Sequence, residues 1–239
     1  VTTTAAAVDR VATARAVLAR VEERTGTDRW VAPGAHAPGG GRLPVPTDLV
    51  DVLPGGGLVR GSTIAVHGST SLTLGLVAAA SRAGHWVALI GLPGLGVLAA
   101  DQLGLDLDRV VLVPSPGPDG PTAVAALLDG VDVVVVGDIA LADADRRRLS
   151  VRARERGAVL LTTRPWPGAH VVVTVEASVW EGLGQGHGRL RSRRLRVRTR
   201  GRGAAAVGRC LEVVVPGPAS GRVAPASRHV APAEARRAG

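Results

Sequence analysis

The side chains equipped for chemistry fall into a few groups. Gly68-Ser69-Thr70-Ser71 is a short polar stretch after an apolar run, and Asp138, Asp143 and Asp145 gather carboxylates further on. Eight arginines crowd residues 189–202: Arg189, Arg191, Arg193, Arg194, Arg196, Arg198, Arg200 and Arg202. A Gly-Ser-Thr-Ser loop between a strand and a helix could hold phosphate, because backbone N–H groups and the helix dipole both favour an anion there. A phosphate loop of the P-loop type has four residues between its glycines, then Lys and Ser or Thr. Here six residues separate Gly68 from Gly75, Leu72 and Leu74 stand where polar groups are needed, and the chain has no lysine. Ser69, Thr70 and Ser71 therefore read first as helix-capping residues, with Thr70 or Ser71 at the N-cap, and weak anion binding as the alternative.

The arginines carry a clearer pattern. From Arg194 to Arg200 they alternate strictly with Leu195, Val197 and Thr199, which on a strand sets Arg194, Arg196, Arg198 and Arg200 on one face about 6–7 Å apart. Arg189, Arg191 and Arg193 have the opposite parity, which calls for a bulge or turn near Arg193-Arg194. Arginine forks suit phosphate oxygens, so one reading is sequence-independent contact with a DNA backbone. The other is a solvated strand face whose charges keep a sheet edge from pairing with foreign strands. Trp166 is the one candidate for stacking on a base, since the chain has four Trp and no Phe or Tyr.

Composition narrows the classes further. Without lysine there is no Schiff-base chemistry, and a single cysteine excludes a disulfide framework and a cysteine-based zinc site. His67 and His187 lack ligand company at metal-binding spacing, so neither a metal nor a cofactor is expected. Asp143 and Asp145 suit the N-terminus of a helix, and Cys210 reads as a small buried residue. The formal charge of +9 is unevenly spread: residues 1–180 hold 16 Arg against 17 acids, and residues 181–239 hold 13 Arg against Glu181, Glu212 and Glu234. A localised basic surface attracts polyanions. The longest uncharged stretch, Ser62 to Ser81, is polar in its middle, so neither a membrane span nor a signal peptide is expected and the location is read as cytoplasmic.

The elements that must position these groups follow from periodicity. Residues 1–26 predict an amphipathic N-terminal helix, docked on its own core, a neighbouring subunit or a partner, and residues 27–42 a Gly/Pro linker. Within a core domain spanning 43–215, strands are expected at Thr63–Val66, Trp86–Ile90, Val110–Val113, Val131–Val136, Val159–Thr162 and Val171–Val175. Helices are expected at Leu72–Arg82, Val97–Leu103, Thr122–Leu128 and Ala142–Arg156. Continuous apolar strands alternating with helices predict an α/β fold with a doubly wound, mainly parallel sheet, helices on both faces and a C-terminal β-ribbon through 189–202. Residues 216–239 read as a disordered tail. The basic helix with Arg146-Arg147-Arg148, Arg152, Arg154 and Arg156 reads as a solvated face, with DNA or partner contact second.

Three segments carry a family resemblance. Leu53-Pro54-Gly55-Gly56-Gly57-Leu58-Val59-Arg60-Gly61 resembles the lead into the first nucleotide-binding strand of RecA-type recombinases. Leu103-Gly104-Leu105-Asp106-Leu107-Asp108-Arg109-Val110 resembles the stretch before their third strand, and Gly130-Val131-Asp132-Val133-Val134-Val135-Val136 their Walker B strand. The departures are equally informative. The Walker B carboxylate falls at Gly137, with Asp138 next door; the catalytic Glu falls at Pro93, and the adenine-stacking aromatic at Ala99. The single-strand-binding loop is cut to Arg164-Pro165-Trp166-Pro167-Gly168-Ala169.

With the lysine gone as well, the chain resembles the ImuA-type proteins, RecA-like accessory factors of the actinobacterial inducible mutagenesis cassette. This resemblance implies a non-catalytic scaffold in DNA-damage-induced translesion synthesis, at the nucleoid. Its implied partners are an inactive Y-family polymerase-like protein and an error-prone C-family polymerase, with DNA contacted through the arginines. Arg200 and Arg202 lie near basic residues that in recombinases reach the neighbouring subunit, so a protein face is a third reading of the stripe, and a homo-oligomer stays open. The alternatives are a divergent DNA-dependent ATPase using Asp138, and a cell-division inhibitor of the SulA type.

Overall fold

The computed structural model describes residues 41–183, 188–202 and 208–216. The expected N-terminal helix, the linker up to residue 40, His187 and the tail from 217 onward lie outside the described residues. Two short strands, β1 (Arg42–Leu43) and β2 (Leu58–Val59), pair antiparallel ahead of the main sheet. The last residue of the expected linker is thus a strand residue, held by the register Arg42↔Val59.

The main sheet holds β3 (Thr63–His67), β4 (Val87–Ile90), β5 (Val110–Val113), β6 (Val133–Val136), β7 (Val159–Thr162), β8 (Val171–Leu183), β9 (Gly188–Gly201) and β10 (Arg209–Pro216). Its order is β10-β9-β8-β3-β7-β6-β4-β5, parallel from β8 to β5 and antiparallel at β8/β9 and β9/β10. The helices are α1 (Thr70–Arg82), α2 (Val97–Gln102), α3 (Gly120–Gly130) and α4 (Asp143–Arg156). This is an α/β fold with a mainly parallel central sheet.

The helix placement follows from the strand order. From β3 the chain steps to β4 and β5 in one direction, then returns through β6, β7 and β8 in the other. Parallel crossovers are right-handed, so reversing direction moves the helices to the opposite face. Leu72, Leu76 and Leu74 of α1 and Ala100 of α2 pack with Ile64, Val66, Leu89 and Val135. Val124 and Leu128 of α3 and Leu149 and Ala153 of α4 pack with Ala65, Ile90, Val134 and Leu160 on the other side. Alternate residues of one strand enter different cores, which is why these strands read as unbroken apolar runs. Beyond β8 the second face changes character: β9 and β10 expose Arg194, Arg196, Arg198, Cys210, Glu212 and Val214 there.

Several boundaries differ from the sequence expectation, that of β8 most. β8 runs on past Val175 to Leu183, with register shifts against β9 between Val175 and Ala177 and between Glu181 and Leu183. The first puts an extra residue, Glu176, in β8, and the second sets residues 189–191 of β9 opposite Gly182; β9 pairs without a shift from Ser192 through Leu195, so the expected phase switch at Arg193-Arg194 does not occur. Arg193 simply sits on the face of Leu195 and Val197. Cys210 is exposed, not buried, because its register partner is the outward Arg198. Among the described residues no helix is long and apolar enough to cross a membrane.

Candidate functional site

In open α/β sheets ligands bind beyond the carboxyl ends of the parallel strands. A cleft of about 730 Å³ lies there, lined by Gly68–Ser71 after β3, Gly91–Gly96 after β4, Asp138 after β6 and Arg164 after β7. Arg193 of β9 completes the lining. The sequence-predicted loop Gly68, Ser69, Thr70 and Ser71 therefore stands at the expected place, but it is shorter than expected.

Helix α1 begins at Thr70, so only Gly68 and Ser69 join it to β3. Ser69 is the N-cap, ahead of the expected Thr70 or Ser71, and its hydroxyl accepts the Leu72 N–H at 3.1 Å. Thr73 Oγ1 donates to the Ser69 carbonyl, which ties the first turn back to the cap. Gly68 has φ +89°, and a Cβ there would stand 3.3 Å from Val175, so β8 closes over the turn. A two-residue connection backed by a strand has no slack to wrap a phosphate chain.

Asp138 is the one carboxylate among the lining residues, and Arg164 Nη2 donates to its Oδ2 at 2.7 Å. Its neighbour Gly137 has no room for a side chain: a Cβ would overlap the Gly91 carbonyl and Leu92. The backbones meet there because Gly137 and Asp138 N–H donate to the carbonyls of Ile90 and Gly91, at 2.8 and 2.7 Å. Arg193 reaches the cleft from above. Its guanidinium lies 5.4 Å from the Trp180 ring centroid and donates from Nη2 to Ser178 Oγ at 3.0 Å. Sequence parity could have found it, since Arg193 belongs to the inward set.

The arginine face is only partly as the sequence suggests. Arg194, Arg196, Arg198 and Arg200 project outward and Leu195, Val197 and Thr199 are buried, as the alternation requires. Glu181 lies 13 residues before Arg194 and Glu212 lies 12 residues after Arg200, but the register returns acid to the stripe. Arg194 binds Glu181 Oε1 at 2.7 Å and lies 3.9 Å from Glu212; Arg198 binds Glu176. The Arg198 hydrogen bond holds the Glu176 carboxyl below its ordinary range, and the Arg194 hydrogen bond does the same to Glu181. Among the described residues, Arg196, Arg200 and Arg202 form no ion pair. Arg191 is exposed on the inward parity, and Arg189 lies in β9 with a side chain outside the described set.

Trp166 is corrected outright. It is 6% exposed, packs in the core under α4, and its Nε1–H donates to Ser150 Oγ at 2.8 Å. A ring buried on a helix cannot stack on a base. Trp166→Phe, which removes this N–H and some ring volume, is expected to cost about 1–2 kcal/mol in urea denaturation. Nucleic-acid affinity should stay unchanged in the same variant.

The sequence also gives no sign of a cation cluster at the opposite ends of the strands. His170, just before β8, sits between Arg154 of α4 and Arg202 after β9. Burial first, then these two guanidiniums, pushes the imidazole below its ordinary value. Among the described residues no three potential metal ligands gather.

Residues 51–168 match the family model of the MT3502 N-terminal domain. The chain is also similar to the uncharacterized protein Rv3395c of Mycobacterium tuberculosis, 38% identical over 128 residues, which is 52% of this chain and 63% of that protein. The chain thus spans less than two thirds of this relative's length. The family match ends at Gly168, so it includes the Gly68–Ser71 turn, Asp138 and Arg164 but not His170 or the β9 arginines.

Proposed function

We propose that this protein is a non-catalytic, RecA-like accessory factor in DNA-damage-induced mutagenesis, acting at the nucleoid. In this reading it is of the ImuA type, binds an inactive Y-family polymerase-like partner, and helps place an error-prone C-family polymerase on damaged DNA. The outward strands β8 to β10 form its C-terminal ribbon, and the arginines that form no ion pair among the described residues of the strand, Arg196 and Arg200, meet the DNA backbone. The similar mycobacterial protein is actinobacterial, as such a cassette requires.

The observation that carries the reading is the connection between β3 and α1. Phosphoryl transfer depends on groups that cradle the phosphates, hold Mg²⁺ and orient the nucleophile. Here the cradle is two residues long, its serine caps the helix, and the cleft's carboxylate is bound by Arg164. Against this stands one feature, a cleft of about 730 Å³, large enough for a nucleotide. It supports a second reading, a divergent ATPase built on Asp138.

Titration of Mg²⁺-ATP with and without single-stranded DNA separates the two. The scaffold reading expects no turnover, and co-purification of the polymerase-like partner with the intact chain. DNA-stimulated hydrolysis lost in Asp138→Ala would instead establish the ATPase.

A further inference from the structure

Two arginines and a histidine from distant segments meet at the amino ends of β3 and β8, and among the described residues no carboxylate joins them. The Thr63 N–H donates to His170 Nδ1 at 3.0 Å, so the neutral ring carries its proton on Nε2. That Nε2–H faces Arg154 Nη2 at 3.3 Å. Both groups are donors, so neither satisfies the other. Arg202 closes the third side: its backbone N–H donates to the His170 carbonyl at 3.0 Å, and its guanidinium runs past Gly168. Among the described residues the charged groups that act on the imidazole are Arg154 and Arg202, and neither forms an ion pair there. Neighbouring arginines do find acids: Arg60 binds Asp132, and Arg152 and Arg156 bind Asp129.

Two donors pointed at each other, flanked by a second guanidinium, want a shared oxygen acceptor that carries negative charge. We propose that Arg154, His170 and Arg202 form a phosphate-binding site filled by a phosphodiester of a nucleic-acid backbone. This rests on the DNA contact in the function proposed above. The placement favours a polymer over a small ion, because Arg202 continues the strand that carries Arg196 and Arg200 outward. Successive outward residues of that strand lie about 6–7 Å apart, so one backbone can run along β9 and end its contacts at His170.

His170 is its own reporter, and the test uses the full chain with two ligands, a fluorescein-labelled oligothymidylate and inorganic phosphate. The His170 ring is titrated by NMR with and without each, and oligonucleotide binding is followed separately by anisotropy across a salt series. Saturating oligonucleotide should raise the His170 midpoint by about one pH unit, as an opposite charge within ~4–6 Å does. Arg154→Gln and Arg202→Gln should each lower the log–log salt slope by about 1. Binding by anisotropy with a motionless His170 and unchanged slopes in both variants overturns the site and leaves DNA contact standing. A His170 response to phosphate with no oligonucleotide binding overturns the backbone occupant and assigns the site to free phosphate. Silence of both probes overturns site and DNA contact together.

Discussion

Gly137→Ala should destabilise the protein by about 3–5 kcal/mol, enough to remove much of the 5–15 kcal/mol that holds a typical domain. The methyl group has nowhere to go. It would overlap the Gly91 carbonyl oxygen and carbon and the Leu92 side chain, at the point where β4 and β6 exchange their last backbone bonds. Separating the strands to admit it breaks the bonds from the Gly137 and Asp138 N–H groups, worth about 1 kcal/mol each. Overpacking of the surrounding core adds about 1–3 kcal/mol. Gly91 cannot retreat, because it has φ +72° and lies against Ile139. Gly130→Ala is the control, since a Cβ there meets nothing within 4 Å. Urea midpoints should fall steeply for Gly137→Ala and hold or rise for Gly130→Ala; equal midpoints would show that the strands part freely. Under the proposed function the same geometry has a consequence for Gly137→Asp. It places a carboxylate where an active relative would hold one, yet it should unfold the site and not revive hydrolysis.

The parallel core was legible because burial on both faces leaves an unmistakable mark. Val133-Val134-Val135-Val136 and Val159-Leu160-Leu161 have no polar residue to misplace, and their flanking glycines punctuate them. Strand ends were less legible. Val171–Val175 is the apolar part of β8, but the strand continues through Glu176, Ser178 and Glu181 because its hydrogen bonds are supplied by β9 rather than by the core. Helix α1 starts at Thr70, two residues before the expected Leu72, since three consecutive hydroxyl residues can each cap and only tertiary closure by Val175 selects Ser69.

The site was legible in inverse proportion to its dependence on register. Alternation alone gave the outward set Arg194 to Arg200. It could not show Glu176, Glu181 and Glu212 beside them, because cross-strand neighbours are fixed by register, which in β8 is further shifted by bulges, and neither carries a sequence signature. Trp166 misled for a related reason. Proline on both sides reads as an exposed turn, while the partner that buries the indole, Ser150, comes from a helix sixteen residues earlier. Arg154, His170 and Arg202 belong to three elements, and no local pattern joins them.

Asp132→Ala is expected to cost about 3–5 kcal/mol, the range for removing one partner of a buried ion pair. Asp132 is 5% exposed and ties two other pieces of chain to its own. Its Oδ1 accepts from Arg60 Nη2 at 2.9 Å and lies 3.3 Å from His85 Nδ1, while Oδ2 accepts the Trp86 N–H at 3.1 Å. It thereby fixes the turn before β3 and the entry to β4 against the entry to β6. Alanine would leave the Arg60 guanidinium largely enclosed, with only a long 3.4 Å bond to the Gly157 carbonyl, and the Trp86 N–H without its side-chain acceptor. Asp132→Asn keeps an oxygen for Trp86 and loses only the charge, so its cost should be smaller. Arg60→Gln in the Asp132→Ala background should add little, because the charge it removes is already unpaired. A cost under 1 kcal/mol for Asp132→Ala, or full additivity with Arg60→Gln, would show that water reaches Arg60 and that the three segments are held by apolar packing alone.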